Sequence, residues 1–232
     1  MQALEINKLD KEKTYFNIWC SYDMLNPNMS SQVSKILSYK LGIDKEYDKC
    51  CRIQPKLEQD STLINICAGC SENFVNYDNV NTVTLWEVLD TIEDLELPDH
   101  SGLTVTIHDA CSYRNKPHIY QIVRRLLKKM NIEIIEAKLN SEKTVCCGRS
   151  LFGKVPLEKI YEQQQKRGDQ MPCQDVVTYC SFCMGSMAKA GKTSHHLLNL
   201  ILNEKTKIGE LDLMKANVGL NAYKEENQRM CN

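Results

Sequence analysis

Apolar positions along the chain fall into short runs with two different spacings. Residues 15–19, 62–66, 103–108, 132–137 and 175–179 carry β-prone apolar side chains in runs of strand length. Between them, Val33, Ile36, Leu37 and Leu41 recur at helical spacing over residues 31–41. Ile119, Ile122, Val123, Leu126 and Leu127 do the same over residues 117–130, with Pro117 in the first turn. Further helices are predicted over residues 84–95, 156–167 and 194–202, the second of them stopping at Gly168. Leu97, Pro98 and Asp99 read as a linker.

Cysteines punctuate these runs in a repeated order. Each half reads strand, cysteine, helix, cysteine pair, strand, Cys-x-x-Cys, helix, and a long-period repeat of this kind marks internal duplication. The first copy uses Cys20, then Cys50-Cys51, then Cys67 and Cys70. The second uses Cys111, then Cys146-Cys147, then Cys180 and Cys183. Residues 52–66 separate pair from knuckle in the first copy, against residues 148–179 in the second, so the first copy is shortened by one helix. The expected fold is α/β with two pseudo-repeated halves, each a small, mostly parallel sheet with flanking helices and a cysteine-lined crevice. The halves are placed at residues 1–98 and 99–205, with a polar tail over 206–232.

Composition narrows the chemistry. The chain has 232 residues, 42% of them hydrophobic, which supplies a packed interior. A net charge of −1 gives no electrostatic case for nucleic acid or an anionic membrane as partner. Arg124, Arg125, Lys128 and Lys129 have helical spacing and read as a solvated helix face rather than a phosphate-binding patch. Residues 1–13 are polar and charged, and no apolar run has the length of a membrane span. A cytoplasmic location is therefore expected. In a reducing cytosol twelve cysteines point to metal binding or redox chemistry rather than disulfides.

The cysteine spacing suits a centre with several metals. Adjacent cysteines such as Cys146-Cys147 have Cα atoms only about 3.8 Å apart, so their sulfurs reach different metals more readily than one tetrahedral ion. Zinc remains the alternative, since it takes four Cys or His ligands, often from two Cys-x-x-Cys knuckles. One zinc held by Cys67, Cys70, Cys180 and Cys183 would leave six of the ten repeat cysteines unexplained. The usual ferredoxin run, C-x₂-C-x₂-C-x₃-C-P, is absent. No G-x-G-x-x-G follows a predicted strand, so any flavin or nucleotide cofactor belongs to another chain.

The stretch His108-Asp109-Ala110-Cys111, followed by Cys146-Cys147-Gly148 and Cys180-Ser181-Phe182-Cys183, resembles the cysteine-rich CCG domain family, best known from the cysteine-rich subunit of heterodisulfide reductase. Cys20, Cys50-Cys51 and Ile66-Cys67-Ala68-Gly69-Cys70 look like the family's other copy. The resemblance implies two non-cubane [4Fe–4S] clusters. One is held by Cys20, Cys50, Cys51, Cys67 and Cys70, the other by Cys111, Cys146, Cys147, Cys180 and Cys183. It implies reduction of a small disulfide, with a ferredoxin-like iron–sulfur subunit and a flavin-containing subunit as partners. CCG domains also occur beside flavoproteins that oxidise 2-hydroxy acids or glycerol 3-phosphate, so an electron-transfer subunit is the second reading. A non-catalytic zinc or cluster-binding module is the third. Arg52 stands where the family pattern has glycine, which leaves the first site open between a modified cluster, another metal such as zinc, and none.

Other residues carry weaker expectations. Gly148 lets the backbone turn with positive φ and approach sulfur, while Arg52 either avoids that conformation or bears its strain, and can offset cluster charge. His108 either orients its loop or acts beyond the ligands as a donor to sulfur or a proton source. Asp109 is expected to cap its loop. Cys173 and Cys231 fall outside the repeat as a packed or free thiol. His118, His195 and His196 are read as structural or solvated, the last two at the start of a helix, and Trp19 and Trp86 as interior residues.

Overall fold

The computed structural model describes residues 9–18 and 28–208, which form two compact units. The first holds the described residues through Leu85, and the second runs over Trp86–Ile208. Trp19, Cys20 and Cys231 lie outside the described residues, as does all but the first part of the expected tail.

The first unit is built on β1 (Thr14–Asn17), α1 (Met29–Leu41), β2 (Lys45–Tyr47), β3 (Ser61–Asn65), α2 (Ala68–Phe74) and β4 (Val80–Thr84). Its four strands are parallel, in the order β2-β1-β3-β4. Strand β3 is buried along its whole length, as expected where a parallel sheet is covered on both faces. Phe16, Val33, Leu37, Leu63 and Ile64 supply the core. Gly42 ends α1 in the left-handed conformation and returns its N–H to Leu37 and Ser38.

The second unit repeats this plan. After α3 (Leu85–Asp90), which but for its first residue belongs here, come β5 (Thr104–Ile107), α4 (Pro117–Lys129), β6 (Glu133–Ile134) and α5 (Leu157–Asp169). They are followed by β7 (Asp175–Thr178), α6 (Ser181–Lys189), β8 (Thr193–His196) and α7 (Leu197–Ile201). The strands are again parallel, in the order β6-β5-β7-β8. The expected mixed α/β fold with two pseudo-repeated parallel halves is what the chain forms. Trp86 packs edge-on to Tyr179, with ring centroids 6.4 Å apart, and its side chain is fully buried.

Three expectations need correction. Residues 194–202 are not one helix: Thr193–His196 pair with β7 as strand β8, and the helix begins only at Leu197. His195 and His196 therefore sit on a strand; His195 faces Asp175 at 2.7 Å and His196 caps α7 by accepting from Leu198 N. Each Cys-x-x-Cys opens a helix of its own, α2 or α6, before a further strand, β4 or β8. Gly168 does not end its helix. It lies inside α5, and a Cβ there would stand 2.5 Å from Ala190 Cβ, so the residue is small to let α5 approach the end of α6. The shortened first copy does lack a counterpart of α5: no helix occurs over residues 52–60. No helix among the described residues is long and apolar enough to cross a membrane.

Gly168→Ala tests the close approach. The added Cβ favours the helix by about 1 kcal/mol but overpacks the contact by about 1–3 kcal/mol, so a net destabilisation is expected in urea unfolding. Adding Ala190→Gly is expected to restore most of the lost stability.

Candidate metal centre

In a strand order of the type 2-1-3-4, the chain leaves the first strand in one direction and returns on its other side. The crevice outside the carboxyl ends of the two central strands is where such sheets bind ligands. In the second unit those strands are β5 and β7. Cys111 lies in the 3-10 turn that follows β5, and Cys180 is the N-cap of α6, directly after β7. The β6 strand leads towards Cys146-Cys147, whose loop ends at Gly148 and a 3-10 turn over Arg149–Leu151. Gly148 has φ 101° and ψ −13°, and a Cβ there would press on Ile160 at 3.3 Å, so both backbone and packing require glycine.

The five repeat cysteines of the second unit converge. Cys183 Sγ lies 3.5 Å from Cys147 Sγ. Thiol hydrogen bonds link Cys111 to Cys146, Cys146 to Cys147, and Cys183 to both Cys147 and Cys180. The sulfurs thus form one continuous set, and none of them is joined in a disulfide. Cys147, Cys180 and Cys183 are buried, whereas Cys111 and Cys146 are partly exposed. Charge is shared unequally within the set. Donation from Cys111, then from Cys147, holds Cys146 far below the ordinary thiol pKa, with Ser150 Oγ adding a bond at 3.2 Å. The thiol bond to Cys146 pushes Cys111 up, and bonds to Cys147 and Cys180, then burial, push Cys183 up.

The first unit brings four of its cysteines together in the same way. Cys50 bonds Cys51, and Cys70 bonds both Cys51 and Cys67. Bonds from Cys50 and then Cys70 draw Cys51 down to about 3, and Asn73 Nδ2 donates to its sulfur at 3.1 Å. Arg52 does not take a positive φ; here Ile53 N closes a turn on Cys50 O at 2.9 Å. This loop therefore avoids the glycine conformation rather than straining to adopt it.

Polar side chains brace the second set. His108, at the end of β5, accepts at Nδ1 from Arg167 Nε at 3.0 Å. A nitrogen of its ring and the sulfurs of Cys147 and Cys183 lie within 4.8 Å of one another, all three residues being buried. Burial first, then the Arg167 charge, drives the ring pKa down to about 3, so it is neutral at ordinary pH. Arg167 is itself fully buried and spends its remaining donors on Gln170 Oε1, Leu139 O and Thr144 Oγ1. Thr144 Oγ1 in turn donates to Asp109 O, tying the Cys111 loop to the segment that enters Cys146. Asp109 is saturated by Arg124, Tyr179 Oη and Ser141 N, which makes it a loop fastener as expected.

Sequence reasoning missed Arg167, Thr144 and Tyr179 and misjudged Arg124. The cluster Arg124, Arg125, Lys128 and Lys129 is not simply a solvated face: Arg124 bridges buried Asp109 and Glu136, and Arg125 pairs with Asp90. A signal for Arg167 did exist. With Ile160, Gln164 and Gly168 it occupies the buried stripe of α5, where a cation needs an acceptor. Cys173 precedes β7 and so lies at the opposite edge of the sheet from the sulfurs. His118 pairs with Glu87 at 2.8 Å.

The residues fit a metal. Five thiols of one unit meet at its switch point, three of them sealed from solvent, and buried His108 Nε2 has no partner of its own among the described residues. Such an arrangement fits a thiolate metal site on an α/β frame. Residues 105–188 match the family model CCG, cysteine-rich domain. No curated protein and no solved structure matches the chain.

Two substitutions probe this scaffold. Arg124→Met leaves Asp109, which is fully buried, with an uncompensated charge, and is expected to cost about 3–5 kcal/mol in denaturant unfolding. Gly148→Ala is expected to cost about 1–3 kcal/mol through its positive φ alone, and to lower metal uptake by displacing the Cys146-Cys147 loop.

Proposed function

We propose that this chain is an iron–sulfur redox subunit resembling the cysteine-rich subunit of heterodisulfide reductase, and that with partner subunits it reduces a small disulfide. The observation that carries the reading is the continuous set of five sulfurs formed by Cys111, Cys146, Cys147, Cys180 and Cys183. A single zinc has no use for the fifth, whereas a multinuclear iron–sulfur centre has. The linked thiols of Cys50, Cys51, Cys67 and Cys70, with Cys20 as fifth member, suit a second centre. Both are read as non-cubane [4Fe–4S] clusters, the first with the larger departure from the family pattern.

When bound, such a centre passes single electrons and offers iron to which a thiolate can bind. The protein's own residues set how this happens. Cys147, Cys180 and Cys183 exclude water from one side, and the partly exposed Cys111 and Cys146 leave the other side open to a substrate. Arg149, stacked 5.1 Å from the Phe182 ring, sits with Phe152 in and beside the turn that contacts Cys146. Buried Arg167 offsets negative charge gathered on the sulfurs. The overall step consumes one disulfide, two electrons and two protons and yields two thiols. The electrons come from a flavin-containing subunit through a ferredoxin-like one.

Anaerobic purification followed by iron, acid-labile sulfide and EPR measurements tests the centre. Iron and sulfide are expected in wild type, with Cys147→Ser altering one signal and leaving the first unit's metal in place. Zinc without iron or sulfide would refute the reading. With a reduced viologen as donor, the loaded protein is expected to turn over a small disulfide. Intact clusters without turnover would favour the electron-transfer role beside a flavin dehydrogenase.

A further inference from the structure

His108 touches the second sulfur set without being one of its cysteines, and its two ring nitrogens are not equivalent. Arg167 Nε points at Nδ1 from 3.0 Å. A guanidinium carries donors and no acceptor, so Nδ1 must present its lone pair, and the proton of the neutral ring sits on Nε2. Nε2 is buried with no partner among the protein's own described atoms. It is the nitrogen Arg167 leaves over, in a ring that reaches within 4.8 Å of the Cys147 and Cys183 sulfurs.

We propose that Arg167 locks His108 as the Nε2–H tautomer, and that this N–H donates to a sulfur of the centre held by Cys147 and Cys183. The inference rests on the metal-centre reading for those residues. It assigns His108 a role among three that histidines take beside metals. Ligation through Nε2 would require the ring to lose its only proton. Proton transfer through the ring would require Nδ1 to accept a proton against the guanidinium that faces it. Donation alone needs neither. Arg167 is thus a positioning residue, and its lock is firm because Gln170, Leu139 and Thr144 hold its other nitrogens. An N–H aimed at sulfur, backed by a buried cation, favours the more negative reduced state and raises the potential of the centre.

The first unit has no equivalent among its described residues. Asn17 holds the corresponding place, three residues before Cys20 as His108 is before Cys111, and its amide donates to Asn65 Oδ1 at 3.0 Å. The helix that would carry a counterpart of Arg167 is missing there. The lock therefore acts on one centre.

Two measurements on the full chain decide the matter. In the metal-free, reduced protein with 15N-labelled histidine, NMR at neutral pH is expected to show His108 protonated at Nε2 and unprotonated at Nδ1. The resonance is assigned by its loss in His108→Gln. A proton on Nδ1, or on both nitrogens, overturns the proposal. In the loaded protein, His108→Gln retains an N–H and His108→Leu removes it. Both are expected to keep the wild-type iron and sulfide content, with the potential of one centre shifted to more negative values in His108→Leu and mostly restored in His108→Gln. Loss of that centre in both variants, with thermal unfolding unchanged, would make His108 a ligand and overturn the proposal, as would an unshifted potential in His108→Leu. If the chain carries zinc and no iron, the redox reading fails while the NMR result still decides the tautomer.

Discussion

Sulfurs crowded 3.5 Å apart in a protein interior repel one another as soon as they ionise, and the second unit is organised around offsetting that repulsion. Low dielectric strengthens both the repulsion and anything that opposes it. The opposing groups come from distant parts of the sequence. The N-terminus of α6 lies at Cys180, Ser150 donates to Cys146, and Arg167 places its cation among the buried side chains. Each must be fixed, because a mobile donor or cation would be lost to solvent. Hence a further layer holds the first: Asp109, saturated by Arg124, Tyr179 and Ser141, keeps the Cys111 loop closed, and Thr144 joins that loop to the approach to Cys146.

The two units solve the same problem with different means. Strand order and the sites of cysteine insertion agree, as duplication would leave them. The second unit adds α5, which supplies Arg167, stitches Gln163 to Cys146 O at 3.0 Å and packs Ile160 over Gly148. Without that helix the first unit needs no glycine after its cysteine pair, and a simple turn through Arg52 serves. Its strand ends carry amides instead, Asn17 on Asn65 and Asn65 on Thr82, which are neutral and satisfied. The charged and donor-rich surroundings of the second sulfur set are therefore an addition to the shared frame.

Much of this was legible from the chain. The central strands β1, β3, β5 and β7 announce themselves as apolar runs because both of their faces are covered, and α1 and α4 through their buried stripes. The convergence of the described repeat cysteines follows from their order, since each sits in a loop or the first turn of a helix that the carboxyl edge of a parallel sheet collects. Strands β2, β4 and β8 were not legible. They lie at sheet edges and carry polar residues such as Lys45, Asn81 and His195, so no apolar run betrays them.

The sequence by itself determined the repeat, the parallel α/β plan and the identity of the thiols, because periodicity and spacing are local properties. Tertiary structure alone decided which nitrogen of His108 is left over, why Gly168 is small, and that Arg124 and Arg167 are fasteners rather than surface charge. Each of these depends on a partner remote in sequence: Arg167 lies 59 residues from His108, and Tyr179 lies 70 from Asp109. A hydrogen bond between such residues has no signature in spacing, since it exists only once folding has brought two strand ends and a helix to the same crevice.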